Sequence, residues 1–473
     1  MSEFIVKDGL FYVNNEPVFL SIAEFQYFRI DKKLWKDSIT RLKSAGFNTL
    51  STYVPWIWHE LNEGEFDFEG KTNPKRDVLG FIDICKDNGL WLIIKPGPFI
   101  YAEYLGLGNP LWLGKHYPET VAKDSALRLI KGDFYYIYSL LHPVYLSFVK
   151  RWYEQLIHNI RTYIQEPIIS IQLDNETGLM YYNRIGELDF NPHTVDRYRE
   201  FLIHKYENNI KLLNNVWATN YLNFDEIFPP KKPFTSNAEL IDWQIFFEEF
   251  ISAYLQKLKS IITELGVSIP ISINEPATYL SPSNPERKSN LSDIYGYDLY
   301  IKCRAGEHTA DFPFANSQYP ALFDTYSKPL VALELGNGWL DNRVDVSNEA
   351  TLHTIMASIA HGVKGMCVYP AHDGVEETGE IYSFSAMIDH LGNITQRYDV
   401  VVKILDFIKR NAHELIHSTK VYDSIGILTY FPNFRFILDD YLPFQVFPDP
   451  VKYMAFLGHY GIYALLVSYG FTP

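Results

Sequence analysis

Cysteine is scarce in this sequence. Only Cys85, Cys303 and Cys367 occur among 473 residues, widely separated and with no CxxC pair. That excludes a disulfide framework and a cysteine zinc site as organising devices. The histidines His59, His142, His353, His361 and His372 are scattered and form no HExxH motif, so no metal is expected. No GxGxxG or P-loop is present, and no cofactor is expected either. Apolar runs of 18 residues are missing, which argues against a membrane span. Met1 to Gly9 has no apolar h-region, so no signal peptide is expected and a reduced, cytoplasmic location is the default. Positive charge is also short: 42 Lys and Arg stand against 57 Asp and Glu, a formal charge of −15. Such a balance argues against nucleic acid or an anionic membrane as partner.

Hydrophobic residues, in contrast, reach 47% and aromatics 16%, enough for a large core. Short apolar, β-branched runs alternate with amphipathic stretches, the pattern of βα units around a parallel sheet. The expected strands are Val18–Tyr27, Phe47–Trp56, Leu90–Lys95, Ile168–Leu173, Ile269–Ile273, Asp293–Tyr300, Leu330–Leu335 and Gly365–Tyr369. Helices are expected over Lys33–Ala45, Asp77–Asn88, Pro143–Ile164, Phe190–Asn209, Ala238–Gly266, Asn348–His361 and Arg397–His417. Eight units in order predict an α/β fold, a (β/α)8 barrel over residues 1–417. A doubly wound sheet is the runner-up. Residues 418–473 start a new pattern, with strands at Ser424–Tyr430 and Tyr463–Tyr469 around a helix at Val451–Gly458. This is expected to begin a second α/β domain, cut short or completed by another chain.

Barrel chemistry sits at the C-terminal ends of strands. The fourth apolar run ends in Asp174-Asn175-Glu176 and the seventh in Glu334. Two carboxylates about 5–5.5 Å apart across a barrel mouth suit a retaining double displacement. The ionised partner would need hydrogen-bond donors or a cation such as Arg29 nearby. Other strand-end candidates are Glu24, Trp56, His59, Glu60, Tyr101, Ala102, Glu103 and Tyr300.

The words around these residues resemble glycoside hydrolase family 35. They are Tyr53 to Glu60, Lys95-Pro96-Gly97-Pro98-Phe99-Ile100-Tyr101-Ala102-Glu103, Ile168 to Gly178, Asp293 to Tyr300, and Leu333-Glu334 with Gly338 and Trp339. Tyr198 to Ile227, with Leu213-Asn214 and Trp217, is more similar to family 42. Both belong to one barrel clan that contains β-galactosidases. The resemblance implies Glu176 as acid/base, Glu334 as nucleophile, Asn175 on the sugar 2-hydroxyl, and Tyr53, Tyr101, Ala102, Glu103 and Tyr300 on the sugar. Lys95 stands where family 35 carries arginine, and Phe384 lacks the hydroxyl of that family's corresponding loop. The implied activity is a retaining exo-β-glycosidase acting on a β-linked oligosaccharide or glycoside, first of all a β-galactoside. An exo-β-glucosaminidase or other β-glycosidase of the clan, a non-catalytic sugar-binding barrel, and an inactive truncated chain stay open. A homo-oligomer or a complementing C-terminal chain is the implied protein partner.

Overall fold

The computed structural model describes residues 3–182, 187–231, 236–276, 284–300, 320–338 without 322, 346–427, and five isolated residues beyond. Eight parallel strands close a barrel: β1 (Leu20–Glu24), β2 (Thr49–Tyr53), β3 (Trp91–Lys95), β4 (Ile168–Gln172), β5 (Ile271–Pro276), β6 (Ile294–Leu299), β7 (Val331–Gly336) and β8 (Gly365–Tyr369). Each pairs with its neighbours in sequence, and β8 closes on β1 through Gly365–Leu20 to Val368–Ala23. The (β/α)8 expectation is met.

Local chemistry sets the helix limits. The first helix spans Lys32–Ala45; the Asp31 side chain accepts from the Lys33 N–H, and Gly46 ends it at φ +115°. The helix expected over Phe190–Asn209 is two helices, Pro192–Lys205 and Ile210–Trp217, because Asn209 caps the second through the Lys211 and Leu212 N–H groups. The last helix likewise breaks at Asn411, giving Gln396–Arg410 and Ala412–His417. By contrast, Asn237–Glu264 is one helix of 28 residues.

The expected first strand, Val18–Tyr27, is too long at both ends. Val18 ends a three-stranded antiparallel sheet (Phe4–Lys7, Leu10–Val13, Glu16–Val18), and Tyr27–Arg29 is a 3-10 turn. That small sheet was not anticipated. Its Phe11 packs with Leu20, Ile22, Ile93, Ile169, Ile294, Val331, Leu333 and Cys367, an apolar plug across the lower barrel. Of the expected tail strand Ser424–Tyr430, residues 424–427 are irregular; the rest of that strand, Val451–Gly458, most of Tyr463–Tyr469, Cys303 and Trp339 lie outside the described residues.

The barrel interior changes character with height. On β1, Leu20 and Ile22 face the plug and Glu24 lies above; on β3, Ile93 is followed by Lys95. This is the two-residue alternation of a strand, apolar below and charged at the end. Gly296 on β6 leaves room for Leu333, since a Cβ there would sit 2.6 Å from Leu333 Cγ. Val331 and Leu333 both join the plug, so strict alternation would turn Glu334 away from the interior. The pairing register shifts at this point against both neighbours, between Ala332 and Leu335 towards β8 and between Tyr297 and Asp298 on β6. This irregularity brings Glu334 inward.

Candidate active site

A cleft of about 570 Å³, counting space open to solvent, lies at the C-terminal mouth. It is lined by all eight residues singled out from the sequence: Tyr53, Tyr101, Ala102, Glu103, Asn175, Glu176, Tyr300 and Glu334. Tyr369 and Phe384 complete the lining.

Glu334 lies at the centre of a donor set. Tyr53 Oη sits 2.7 Å from its Oε1, Lys95 Nζ is 3.2 Å from the same oxygen, and the Tyr300 hydroxyl donates to Oε2. Lys95, 1% exposed, also reaches Glu24 Oε2 at 2.9 Å and lies 3.7 Å from the Tyr53 ring centroid. The ammonium is therefore an ion-pair partner of both carboxylates. Their fields outweigh the desolvation of Lys95 and raise its pKa. Burial raises Glu24, with Lys95 opposing that rise. The Arg29 cation expected beside Glu334 is elsewhere: its guanidinium pairs with Glu376 at 3.1 Å and donates to Ala102 O at 2.7 Å. Arg29 comes from the turn after β1, whereas Lys95 projects from β3 into the interior.

Glu176 has different surroundings. Part of its side chain opens to the cleft, and its backbone N–H donates to Asn274 Oδ1 at 3.0 Å. Enclosure by the cleft walls, then the charges of Glu334, Glu103 and Glu275, push its carboxyl well above the ordinary range; Lys288 opposes them. Lys288 is buried and held by Glu275 at 2.7 Å and the Thr177 carbonyl at 3.2 Å.

The wall after β3 is strained. Tyr101, Ala102 and Glu103 have φ of +50°, +46° and +45°, a left-handed run that costs about 1–3 kcal/mol per residue. Arg29 holds it through Ala102 O, aided by the Tyr382 hydroxyl at 3.3 Å from the same carbonyl. Tyr382 also donates to Glu103 Oε2. The loop thus presents Glu103 at the rim.

The strand-end candidates Trp56, His59 and Glu60 do not line the cleft. His59 contacts the Tyr27 hydroxyl and the Asp67 carbonyl, and His372 accepts from the Gln26 N–H; burial lowers both to about 4. Glu60 is held by Trp56 Nε1 and Arg151. Among the described residues no cluster of three His, Cys, Asp or Glu side chains could hold a metal, and Cys85 and Cys367 are free and buried.

Sequence reasoning overlooked four interior residues: Lys95 as the cation, Gln172, Asn274 and Asp298. The signal was available for Asn274, which directly follows the apolar run Ile271-Ser272-Ile273, but the end of that strand was not read.

The match with known families covers this whole region. The family model described as β-galactosidase, glycoside hydrolase family 42, matches residues 24–410. The chain belongs to glycoside hydrolase family 42. The family-35 resemblance is thereby corrected: its words lie at strand ends that one barrel clan shares, while the helices over Tyr198 to Ile227 carried the family-42 likeness. This family-42 chain is 32% identical over 450 residues to a β-1,2-glucosyltransferase of Ignavibacterium album, covering 90% of the chain and 62% of that protein. It is 33% identical over 290 residues to an exo-β-D-glucosaminidase of Pyrococcus horikoshii, covering 59% of the chain and 36% of that protein. A solved β-galactosidase of Rahnella sp. R3 superposes with a TM-score of 0.75 at 16% identity, covering 99% of this chain and 65% of that one. The chain thus spans less than two thirds of the length of these relatives. No helix among the described residues is long and apolar enough to cross a membrane.

Proposed function

We propose that this chain carries the catalytic barrel of a retaining exo-β-glycosidase, with Glu334 as nucleophile and Glu176 as acid/base. The observation that carries this is the asymmetry within one cleft. Glu334 accepts hydrogen bonds from Lys95, Tyr53 and Tyr300, while enclosure and three neighbouring carboxylates favour a proton on Glu176. Glu334 attacks the anomeric carbon as the bond to the leaving oxygen breaks, and Glu176 gives that oxygen its proton. Glu176 then takes a proton from water, which attacks the same carbon and expels Glu334, so configuration is retained. Asn175, Glu103, Tyr101, Ala102, Tyr53 and Tyr300 contact the sugar. The substrate read first is a β-galactoside.

A second reading is glycosyl transfer, in which a sugar hydroxyl replaces water in the second step. It is favoured by the β-1,2-glucosyltransferase that aligns with 90% of the chain. Residues 418–473 are proposed to begin a second α/β domain, and a homo-oligomer is proposed as the assembly. A cytoplasmic location is proposed alongside.

The test is turnover of aryl β-galactosides, β-glucosides and β-glucosaminides, with and without a sugar acceptor. Glu176→Gln and Glu334→Gln should each lower the rate about 1,000-fold or more, the scale on which paired carboxylates contribute. Azide should restore Glu334→Ala, giving a product of inverted configuration. Wild-type rates in both Gln variants would overturn the assignment.

A further inference from the structure

The amide of Asn175 has two faces, and the network behind it determines which one meets the sugar. The Glu176 backbone N–H can only donate, and it donates to Asn274 Oδ1 at 3.0 Å. Asn274 therefore cannot be turned over without setting its NH2 against an N–H. Its Nδ2 then faces Asn175 Oδ1 at 2.7 Å and Asp298 Oδ2 at 2.5 Å. Asp298, fully buried on β6, supplies an acceptor and so locks the same orientation from the other side. Gln172 Nε2 reinforces it by donating to Asn274 Oδ1 at 3.1 Å and Asn175 Oδ1 at 3.3 Å. Asn175 Oδ1 is thus engaged by two amide donors. Among the described residues its Nδ2 has no hydrogen-bond partner, and the residue lines the cleft.

We propose that Asn274, locked between the Glu176 N–H and Asp298, is a specificity-determining positioning residue. It makes Asn175 offer an N–H donor to the sugar 2-position, so the site selects a 2-hydroxyl and disfavours a 2-ammonium. A hydroxyl oxygen accepts that donor, whereas an ammonium has donors only and no acceptor. Two facing donors leave an enclosed polar group unpaired, a mismatch by which sites reject analogues strongly. The inference rests on the proposed glycosidase reading, and it separates the glucosaminidase alternative from the β-galactoside and β-glucoside ones.

Asn274→Asp is isosteric and replaces the NH2 with an oxygen that faces Asn175 Oδ1 and Asp298, so Asn175 loses its lock. The experiment measures kcat/KM for aryl β-glycosides with 2-hydroxy, 2-deoxy and 2-amino-2-deoxy sugars in weakly acidic buffer, where an aliphatic amine is protonated. Wild type should prefer the 2-hydroxy over the 2-amino donor about 100-fold or more, the scale on which unpaired polar groups discriminate. Asn274→Asp should shrink the 2-hydroxy to 2-deoxy ratio about tenfold or more, one bidding hydrogen bond's worth. Asp298→Leu should shrink it similarly, and Asp298→Asn, which can still turn an oxygen to Asn274, should retain it. A general structural defect would lower all donors together and leave the ratio unchanged. Calorimetric binding of the free sugar and its 2-deoxy analogue reads the same discrimination without turnover. No turnover of any donor by wild type would sink the glycosidase reading while the binding comparison still judged the amide lock. Turnover with unchanged ratios in both Asn274→Asp and Asp298→Leu, or a wild type that prefers the 2-amino donor, would overturn this inference alone.

Discussion

Replacing Lys95 by Met tests the electrostatics of the barrel interior most directly. Met keeps the length and the apolar stem but removes the ammonium that contacts Glu24 at 2.9 Å and Glu334 at 3.2 Å. At an effective dielectric of about 20 each contact is worth roughly 5–6 kcal/mol before desolvation. The net loss on breaking a buried pair is about 3–5 kcal/mol, because the partner charges are left uncompensated. A barrel of roughly 400 residues unfolds with an entropy near 0.8 kcal/mol per kelvin, so Tm should fall by about 4–6 °C. The deficit has a sign with pH. Burial already raises Glu24 above its ordinary value, and losing Lys95 raises it further. A carboxyl raised in the folded state contributes stability below its unfolded pKa, and that contribution is lost as pH climbs through the folded value. The variant should therefore lie nearest wild type in acid and fall behind towards neutrality. Scanning calorimetry at both pH values measures this, with Glu24→Gln and the double variant closing a cycle. The double variant should be more stable than the summed single losses predict by about 1 kcal/mol or more, because removing both partners leaves fewer orphaned charges. A neutral-pH Tm within about 1 °C of wild type, or additivity within about 0.5 kcal/mol, would refute the argument.

Two further substitutions probe the cleft walls. Glu275→Gln removes one of the carboxylates that raise Glu176 and frees Lys288, so the alkaline limb of the pH–rate profile should move to lower pH; an unmoved limb would remove Glu275 from that role. Arg29→Met releases the Ala102 carbonyl and lets the left-handed run relax, so KM should rise about tenfold with a smaller change in kcat; an unchanged KM would show that the loop holds itself.

The barrel was legible because its strands are long apolar runs stopped by glycine, proline or polar residues, and the site words stand at those stops. All eight chosen residues meet in one cleft for that reason. What stayed hidden is not periodic. Glu334 turns inward through a register shift, and strict alternation after Val331 and Leu333 would have pointed it out. The choice of Lys95 over Arg29 depends on which side of β3 faces the interior, a three-dimensional fact. Asn274 and Asp298 look like ordinary strand residues until their amide and carboxyl are seen against Asn175. The helix break at Asn209 was readable as a cap but was absorbed into a longer amphipathic pattern.

The apolar plug beneath the barrel has a consequence for biosynthesis. Phe11 shares one apolar cluster with Val331 and Cys367, residues made some 320 to 356 positions later. At translation rates of about 5–20 residues per second, the hairpin leaves the ribosome roughly 20–70 s before its last partners exist. A stopper is thus produced well ahead of the vessel it closes. During that interval Phe4, Val6 and Phe11 have no seat in the barrel, so the nascent chain carries an apolar strand edge that invites wrong pairing. Slow synthesis through β7 and β8 would lengthen that exposure, and chaperone capture of the young chain should concentrate on this segment.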